Sequence, residues 1–512
     1  MTGGKGRGEG RGRGEGEARY LDAGGRLRRG PSALLVETAF RRELAHADAL
    51  YEGISYADLA HVLMLAEAGV IPEAPARELL AALVELHDQG MAALRLDAKW
   101  GDLYNNRDSE LQRRVPAAAG WLHAGRARRE ALTLGWLIHL RVAVAAARRH
   151  TAALLGVLAD LGARHAADVM PDFTYLQHAQ PTTLGHFLLG FAAPLRRDAE
   201  RLAREAALLD ESPAGAASTN GARLPLDRER MRALLGFRRV NVHGRDAMWR
   251  PDTAINLMGV LVSIATDVAR LAEELQLWAT DEFGYVDLAD EHCRASVIMP
   301  NKKNPYALSF IRGQARELDG LLMSVIATNQ TPSGQIDNRN TSYDALPRGL
   351  ETVDGLARLL GEVLERMTFD LPRLRAAARH GHTYGTELAD LLLLRERVDA
   401  RTAHEIVGAT ISAQVGAQPR PFAAALAEAF QAAAGRPLTV GADELEREVQ
   451  PEQVVAARLG IGSCAPDTVR AMAADLRAAA AALVAAVDEE ERRSEFPALL
   501  RAAVAARLGR SW

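Results

Sequence analysis

Residues 252–278 read DTAINLMGVLVSIATDVARLAEELQLW, and the apolar side chains of this segment recur in alternating steps of four and three. The recurring residues are Leu257, Leu261, Ile264, Val268, Leu271, Leu275 and Trp278. This heptad spacing is typical of a long helix that packs in a bundle. It predicts a helix from about Asp252 to Glu282, and we expect its apolar seam to be buried between helices of different subunits.

Four further segments have the composition of long helices, because Ala, Leu, Arg and Glu dominate and aromatic residues are few. Predicted helices run from about Arg128 to Val169, from a cap at Thr182 or Thr183 toward Leu209, from about Tyr306 onward, and from about Ser342 to Met367. The first would be roughly 60 Å long if it is continuous. Helices of this length need partners for their apolar faces. The sequence therefore predicts an all-α fold with a central long-helix bundle that also associates with other subunits.

The chain has 512 residues, which is long enough for about two or three domains. Residues 1–30 alternate Gly with Arg and Glu, and we expect a disordered tail because such a segment cannot bury enough apolar surface to offset its ordering entropy. An RNA-binding arm is the alternative, which the interleaved glutamates disfavour. We assign residues 31–127 to an N-terminal helical domain, 128–380 to the central bundle, and 381–512 to a helical cap that includes the helix after Pro466.

Composition argues against several classes of function. The formal net charge of −4 gives no case for a nucleic acid or an anionic membrane as partner. Cys293 and Cys464 are far apart, so a disulfide framework and a zinc site are both disfavoured, which fits a reducing, cytoplasmic location. We find no uninterrupted apolar run long enough to span a bilayer, and no secretory signal at the N-terminus.

Three polar segments stand within the otherwise apolar helical pattern. We call them block 1 (Leu122–Glu130), block 2 (Phe173–His186) and block 3 (Ser296–Pro305). Block 1 places three arginines at the start of a predicted helix, where free N–H groups favour anions; a solvated basic turn is the alternative. Block 2 crowds threonine and glutamine side chains before the next helix, and helix capping with a polar turn would explain these residues equally well.

Block 3 reads SVIMPNKKNP and is the most informative of the three. Pro300 and Pro305 prevent an ordinary helix interior, because proline fixes φ and has no N–H. A hydroxyl, two ammonium groups and an amide on one loop suit an anionic ligand. The irregular stretch that holds them begins at Gly284, and such long loops are usually functional or disordered. A simple linker is the less favoured alternative.

Block 3 also resembles the G-S-S-x-M-P-x-K-x-N-P signature of the fumarase/aspartase superfamily, most closely in its argininosuccinate lyase form. All three blocks occur in the family's order, and the similarity extends over roughly residues 40–480. The resemblance implies a three-domain all-α fold, a homotetramer, and active sites that combine segments of three subunits. It also implies a small dicarboxylate or amino-acid substrate and no metal or organic cofactor.

The resemblance assigns roles to individual residues. It implies that Ser296 is the base that removes a proton β to the leaving group, and that Lys302 and Asn304 hold the substrate carboxylate as negative charge develops on it. A nearby cation and N–H donors are what a serine needs in order to act as a base. Other residues that match substrate-binding positions are Thr174, Gln180 and Arg126.

The sequence departs from the family at several of its functional positions. Tyr175 and Tyr104 stand where the family has histidines, and we assign Tyr175 a catalytic role. Arg129 replaces an asparagine that contacts substrate, and Glu37 replaces a serine. The segment that ends at Arg339 replaces an acidic, lysine-containing one, and we assign Arg129 and Arg339 to substrate binding. Such changes of charge alter which substrate charges a site tolerates.

Together these observations predict an argininosuccinate lyase-like enzyme that performs anti β-elimination. It would cleave the C–N bond of an N-substituted aspartate and release fumarate. One alternative is a lyase of the same superfamily that acts on a different substrate in specialised metabolism. The other is a catalytically silent homologue with a structural or regulatory role, which the loss of both histidines favours and the presence of Ser296, Lys302 and Asn304 opposes.

Overall fold

A computed structural model of the chain describes residues 30–331, 340–415 and 418–512. The expected disordered tail, apart from Gly30, and the predicted substrate-binding residue Arg339 lie outside this range. The described chain is built almost entirely from helices, which confirms the predicted all-α class.

The N-terminal helices form a small unit beside the start of the bundle. In chain order they are α1 (Ala33–Leu35), α2 (Arg41–Leu44), α3 (Ala47–Glu67), α4 (Glu73–Gln89) and α5 (Leu103–Arg114), with a π turn at Val36–Phe40 and 3₁₀ turns at Gly90–Ala93, Ala98–Trp100 and Ala119–His123. Asp102 caps α5 by accepting the Asn105 N–H at 3.1 Å. Buried side chains of α3, α4 and α5 share one apolar core.

The long helices agree with the pattern read from the sequence. They are α6 (Arg128–Arg164), α7 (Leu184–Leu209), α10 (Pro251–Trp278), α11 (Tyr306–Asn329) and α12 (Asn340–Arg366), with the short helices α8 (Arg228–Leu234) and α9 (Gly244–Ala247) between α7 and α10. Thr183 caps α7 through its side chain, as predicted. Helix α6 ends at Arg164 rather than Val169, because N–H groups at the start of α7 bond to carbonyls of the turn that follows α6.

The remaining helices follow the bundle. They are α13 (Leu371–His380), α14 (Gly385–Leu391), α15 (Ala400–Val415), α16 (Phe422–Ala434), α17 (Ala442–Glu448), α18 (Pro451–Ala457), α19 (Pro466–Arg493) and α20 (Ala498–Leu508), with a π turn at Leu392–Glu396 and a 3₁₀ turn at Asp290–His292. Residues of α14 to α17 share a separate small core.

The last two helices pack away from that small core. Val469, Ala473 and Leu476 of α19 are buried in the bundle core, and Leu500 and Val504 of α20 are buried in the N-terminal core. The division of the chain at residue 381 therefore stays a proposal, and these two helices pack with the earlier regions rather than with α14 to α17.

Four short two-stranded ladders lie in the connections between the helices. Their strands are β1 (Val169–Thr174), β2 (Gln177–Thr183), β3 (Glu211–Ser212), β4 (Arg239–Val240), β5 (Val286–Asp287), β6 (Arg294–Ala295), β7 (Lys303–Asn304) and β8 (Thr368–Phe369). The pairs are β1–β2, β5–β8 and β6–β7, all antiparallel, and the parallel pair β3–β4. Blocks 2 and 3 lie on two of these ladders.

The seam of α10 is buried inside a single chain. Leu257, Leu261, Ile264 and Leu275 have no exposed surface, and they pack in one core with side chains of α6, α7, α11 and α12. The expectation that this seam lies between subunits is wrong, because the neighbouring helices of the same chain already cover it.

Two of the helices, α6 and α10, are long and apolar enough to cross a membrane by length and composition. The sequence reading had found no such segment. In the apolar windows of these helices, 61% and 50% of the residues are buried inside the fold. They therefore serve as core helices of the bundle, and their apolar character comes from packing on other helices.

The bundle has two distinct ends. At the first end α6 and α12 begin side by side, and the rings of Trp136 and Tyr343 lie 5.1 Å apart. At the second end α6 and α12 finish, and the rings of His165 and Phe369 lie 5.3 Å apart. Helices α7 and α11 run the opposite way, so both of them begin at the second end.

Candidate active site

Block 3 forms a loop on a short hairpin stem at the second end. Arg294 pairs with Asn304 and Ala295 with Lys303, and residues 296–302 close the loop. The side-chain amide of Asn304 donates to the Arg294 carbonyl at 2.7 Å, which further ties the two strands. The apolar side chains of Val297 and Ile298 at the loop tip are exposed. The predicted substrate contact Asn304 thus has a structural hydrogen bond within the stem.

Ser296 opens this loop and is half-buried. Its Oγ accepts the backbone N–H of Met299 at 3.1 Å. A hydrogen bond donated to an oxygen favours the charged form of that oxygen. The loop therefore provides one of the donors that a serine alkoxide requires.

The two adjacent lysines of block 3 have different surroundings. Lys303 Nζ lies 2.9 Å from Asp287 Oδ1, 3.0 Å from Asp290 Oδ1 and 2.5 Å from the Leu288 carbonyl oxygen. The hydrogen bonds to Asp287 and Asp290 raise the pKa of Lys303 well above its ordinary value. The side chain of Lys302 is exposed, and among the residues described here it has no ion-pair partner. Lys302 is thus the lysine available to an anion.

Block 2 is a β-hairpin, which the sequence analysis does not predict. Strands β1 and β2 are joined by Tyr175 and Leu176, whose φ angles are 55° and 57°. Both residues occupy the left-handed region, which costs an ordinary side chain about 1 to 2 kcal/mol. The Tyr175 ring is fully exposed at the tip. Strain of this kind is often found at functional sites.

The two predicted substrate contacts of block 2 lie on the same hairpin. Thr174 is exposed next to the tip, and Gln180 is half-buried on β2. The side-chain oxygen Oε1 of Gln180 accepts a long 3.4 Å hydrogen bond from Arg458, whose guanidinium also lies 3.6 Å from the Glu387 carboxylate. The loop before α19 therefore supports β2.

Arg126 of block 1 has no exposed side-chain surface. Its guanidinium donates to Asp58 Oδ1 at 2.6 Å and to the Ala57 carbonyl at 3.2 Å. Although burial opposes the charge, Tyr104 and Asp58 raise the pKa of Arg126 above its ordinary value. Within one chain Arg126 is thus enclosed and supports block 1 from beneath, and its contact with substrate stays a prediction.

Tyr104 belongs to the same buried cluster. Its hydroxyl lies 3.4 Å from Arg126 Nη2 and 3.4 Å from His123 Nδ1. Burial raises the pKa of Tyr104 to about 12. A buried phenol that holds its proton this firmly is poorly suited to protonate a leaving group.

Arg128 and Arg129 occupy the first turn of α6, at the first end. Arg128 Nη1 pairs with Asp102 Oδ2 at 2.9 Å. Arg129 is half-buried, and burial together with the neighbouring Arg128 lowers its pKa below the ordinary value. Additional negative charge beside Arg129 would offset both effects. Tyr343, Asp102 and Glu43 already act to raise the same pKa, so a contact between Arg129 and substrate stays a prediction.

The three blocks do not meet within one chain. Block 1 lies at the start of α6, whereas blocks 2 and 3 lie at the second end, near the finish of α6 and the starts of α7 and α11. Helix α6 has 37 residues, which at the α-helical rise span about 55 Å. One chain therefore provides two separate parts of a site.

Sequence reasoning missed several residues that hold these blocks in place. Asp58, which pairs with Arg107 at 3.2 Å as well as with Arg126, is one. Asp287 and Asp290, which hold Lys303, are others. Their acidic side chains precede block 3 in the sequence, and that proximity was the available signal. Within residues 30–331, 340–415 and 418–512, no cluster of three or more His, Cys, Asp or Glu side chains is placed to hold a metal ion.

Comparison with known proteins agrees with this architecture. A family model described as Lyase matches residues 53–320. Argininosuccinate lyase of Methanoculleus marisnigri is 36% identical over 440 residues, which cover 85% of this chain and 87% of that protein. Argininosuccinate lyase of Methanothermobacter thermautotrophicus is 30% identical over 457 residues, which cover 88% of this chain and 97% of that protein.

Solved structures show the same fold. A crystal structure of EDDS lyase in complex with formate is 27% identical, has a TM-score of 0.83, and covers 90% of this chain and 93% of that one. A crystal structure of class II fumarase from Schistosoma mansoni is 13% identical with a TM-score of 0.67, covers 81% of this chain and 92% of that one, and shares the fold alone.

The chain belongs to the Lyase family, within the fumarase/aspartase superfamily. Its function is argininosuccinate lyase-like, which makes it a carbon–nitrogen lyase. The predicted family, fold class and enzyme class are thereby confirmed.

Proposed function

We propose that the enzyme cleaves the C–N bond of an N-substituted aspartate by anti β-elimination and releases fumarate and an amine. The observation that carries this proposal is block 3. In block 3, Ser296 Oγ accepts a hydrogen bond from the Met299 N–H. Lys302 is exposed and has no ion-pair partner among the described residues. A base and a carboxylate-binding cation on one short loop suit abstraction of a proton next to a carboxylate.

The reaction then proceeds in two proposed steps. Ser296 takes a proton from the carbon next to a carboxylate, and the electron pair moves onto that carboxylate, where Lys302 and Asn304 stabilise the charge. The electrons return to form the C=C bond as the C–N bond breaks, and the nitrogen leaves with a proton. Tyr175 is proposed as the donor of that proton, because it lies exposed at the tip of a strained hairpin, whereas Tyr104 is buried.

Substrate binding is proposed to use Arg129 of block 1 and Thr174 and Gln180 of block 2, with Arg339 as a further contact. The half-buried guanidinium of Arg129 supports an anionic group on the substrate at this position. Arg126 keeps the supporting role that its ion pair with Asp58 gives it.

Homotetramer formation is part of the proposal, because one chain holds block 1 about 55 Å from the other blocks along α6. The solvent-exposed face of α11 supports association with a second copy. Gly313 and Gly320 on this face are exposed, and a Cβ at either position would meet nothing within 4 Å. A glycine in a helix interior costs about 1 kcal/mol relative to alanine. Close approach of a helix from a second copy would account for that cost, and the exposed Phe310 and Met323 extend the same face.

A different amine as leaving group is a specific second candidate. Two departures from the family pattern motivate this second candidate. Arg129 stands where the family has an asparagine, and Tyr175 stands where the family has a histidine. An arginine in place of an amide favours a substrate with an additional negative group near block 1. Both candidates share the base, the carboxylate site and the product fumarate.

We also propose a cytoplasmic location, which the free thiols of Cys293 and Cys464 support.

The decisive experiment follows fumarate formation by ultraviolet absorbance. The substrates are argininosuccinate and a panel of N-substituted aspartates that differ in the charge of the leaving amine. Wild-type enzyme and the variant Arg129→Asn are assayed in parallel. We expect argininosuccinate to be a poor substrate of the wild type and to improve in the variant. Absence of fumarate from the whole panel would favour the catalytically silent homologue instead.

A further inference from the structure

The strongest unassigned feature of block 3 is the environment of Lys303. Its ammonium group has three N–H donors, and it has three oxygen partners, on Asp287, Leu288 and Asp290. Every donor is therefore accounted for. A lysine whose donors are all used has none left for a substrate, so its role must lie elsewhere.

The partners of Lys303 are themselves fixed to the end of the bundle. Asp287 lies on β5, which pairs with β8 directly after α12, and Val286 is opposite Phe369 in that ladder. Glu291, next to Asp290, receives a 2.6 Å hydrogen bond from Arg366 in the last turn of α12. The oxygens that bind Lys303 thus belong to a segment with two separate attachments, one to β8 and one to the last turn of α12.

The loop that Lys303 closes has few other attachments. Its stem consists of two residue pairs and the Asn304 to Arg294 hydrogen bond. Val297 and Ile298 at its tip are exposed. A two-pair ladder alone is a weak restraint, since isolated short hairpins are marginally stable in water.

We propose that Lys303 is a positioning residue, which clamps the stem of the block 3 loop to the Asp287–Asp290 segment and thereby fixes Ser296 and Lys302. This inference rests on the proposed function of those two residues. Lys303 occupies the two carboxylates, so Lys302, which has no ion-pair partner among the described residues, stays available to the substrate carboxylate.

The clamp also prevents a competing ion pair. Lys302 is the next residue in the chain and carries the same charge. Without Lys303, the carboxylates of Asp287 and Asp290 become partners for Lys302 and draw it from the substrate. The clamp therefore acts on substrate affinity as well as on the position of the base.

The first test is the variant Lys303→Met, which keeps the length of the side chain and removes its charge. We expect kcat/KM for fumarate formation to fall about tenfold to a hundredfold, the scale on which small misplacements of catalytic groups act. The thermal midpoint should hardly change, because exposed ion pairs contribute little to folding stability. Lys303→Arg should keep most of the activity. Lys99→Met, which removes an exposed lysine paired with Asp97 at 3.1 Å, is the matched control.

The second test adds Asp287→Asn and Asp290→Asn to Lys303→Met. Removing both carboxylates removes the competing partners of Lys302, so the triple variant should recover a lower KM than Lys303→Met alone. A simple structural lesion would worsen with further substitutions. Unchanged kcat/KM in Lys303→Met, or a triple variant with a KM no better than that of the single one, would overturn the clamp.

Amide hydrogen exchange of residues 294–304 separates failure of the clamp from failure of the proposed function. We expect faster exchange in Lys303→Met than in wild type, whatever the substrate. If wild type makes no fumarate from any substrate, the proposed function fails while faster exchange still supports the clamp. If exchange in the variant equals that of wild type, the clamp is refuted even for an active enzyme.

Discussion

The backbone N–H of Met299 donates a 3.1 Å hydrogen bond to Oγ of Ser296. The bond spans the exposed tip of the block 3 loop, so the donor that would stabilise the proposed serine alkoxide belongs to the same turn as the serine. The position of this donor is fixed by the chain itself and does not depend on other subunits.

Replacement of Ser296 by alanine should remove the base and leave the loop in place. We expect kcat to fall by about 10² to 10⁴ with little change in substrate affinity, since this is the usual contribution of general acid–base catalysis. Steady-state fumarate formation and binding by calorimetry measure the two effects. Ser511→Ala, at the exposed C-terminus, should behave like wild type. Near-normal turnover in Ser296→Ala would remove this serine from the mechanism.

Tyr175→Phe keeps the exposed ring at the hairpin tip and deletes only the hydroxyl. If that hydroxyl protonates the leaving nitrogen, kcat should fall more than about tenfold while KM changes little, which marks an interaction made in the transition state. Kinetics identical to wild type would leave water or another group as the proton donor.

Leu176→Gly should relieve backbone strain, because φ is 57° at this residue and glycine adopts this region freely. We expect the thermal midpoint to rise, with a gain of at most about 1 kcal/mol after the entropic cost of glycine. Val242→Gly is the control: it is exposed, its φ is not positive, and glycine there should lower the midpoint. If strain at the tip serves catalysis, the more stable Leu176→Gly enzyme will be the slower one.

Gly320→Leu places a bulky side chain on the outer face of α11. Within one chain a Cβ there meets nothing within 4 Å, so the monomer fold should tolerate it. We expect light scattering to report loss of the tetramer, and activity to fall with it. Gly408→Leu, on α15 and equally open, should remain a tetramer. A fully active monomeric variant would contradict sharing of the site.

Mixing two inactive variants tests the sharing directly. Ser296→Ala damages block 3, and the charge reversal Arg129→Glu damages block 1, which lies at the opposite end of α6. After joint unfolding and reassembly, about a quarter of the sites should take each block from an undamaged copy, if subunits combine at random in a closed oligomer. Activity should reappear to that extent. Continued inactivity would place both blocks of one site in the same chain.

The sequence predicted most helix positions because apolar periodicity over many residues dominates local signals. For the α10 seam, the sequence analysis predicted burial against other subunits, whereas helices of the same chain cover it. A heptad pattern indicates that a helix face is buried, but it does not indicate which helix covers that face. The β1–β2 hairpin was missed for a different reason. Its turn is formed by Tyr175 and Leu176, whereas a tight hairpin turn is predicted from Asn or Gly at these positions.

For the candidate site, the sequence predicted which polar and charged residues occur in the blocks more successfully than it predicted which residues they contact. Arg126 and Arg129 are three residues apart in a basic run, yet one is enclosed by Asp58 and the other is half-buried near Asp102. Lys302 and Lys303 are adjacent, yet among the described residues Lys303 alone pairs with carboxylates. Such distinctions depend on partners elsewhere in the chain, 68 residues away for Arg126 and Asp58, and no local pattern encodes them.

All three blocks lie directly before, or at, the first turn of a long helix: α6, α7 and α11 respectively. In the proposed tetramer, three helix starts from different subunits therefore face one cleft together with Arg129 and Lys302. A protein with a formal net charge of −4 would then present a strongly positive region to solvent where a dianion must enter. Capture of substrate becomes an electrostatically steered encounter, and kcat/KM should decline as added salt screens the attraction.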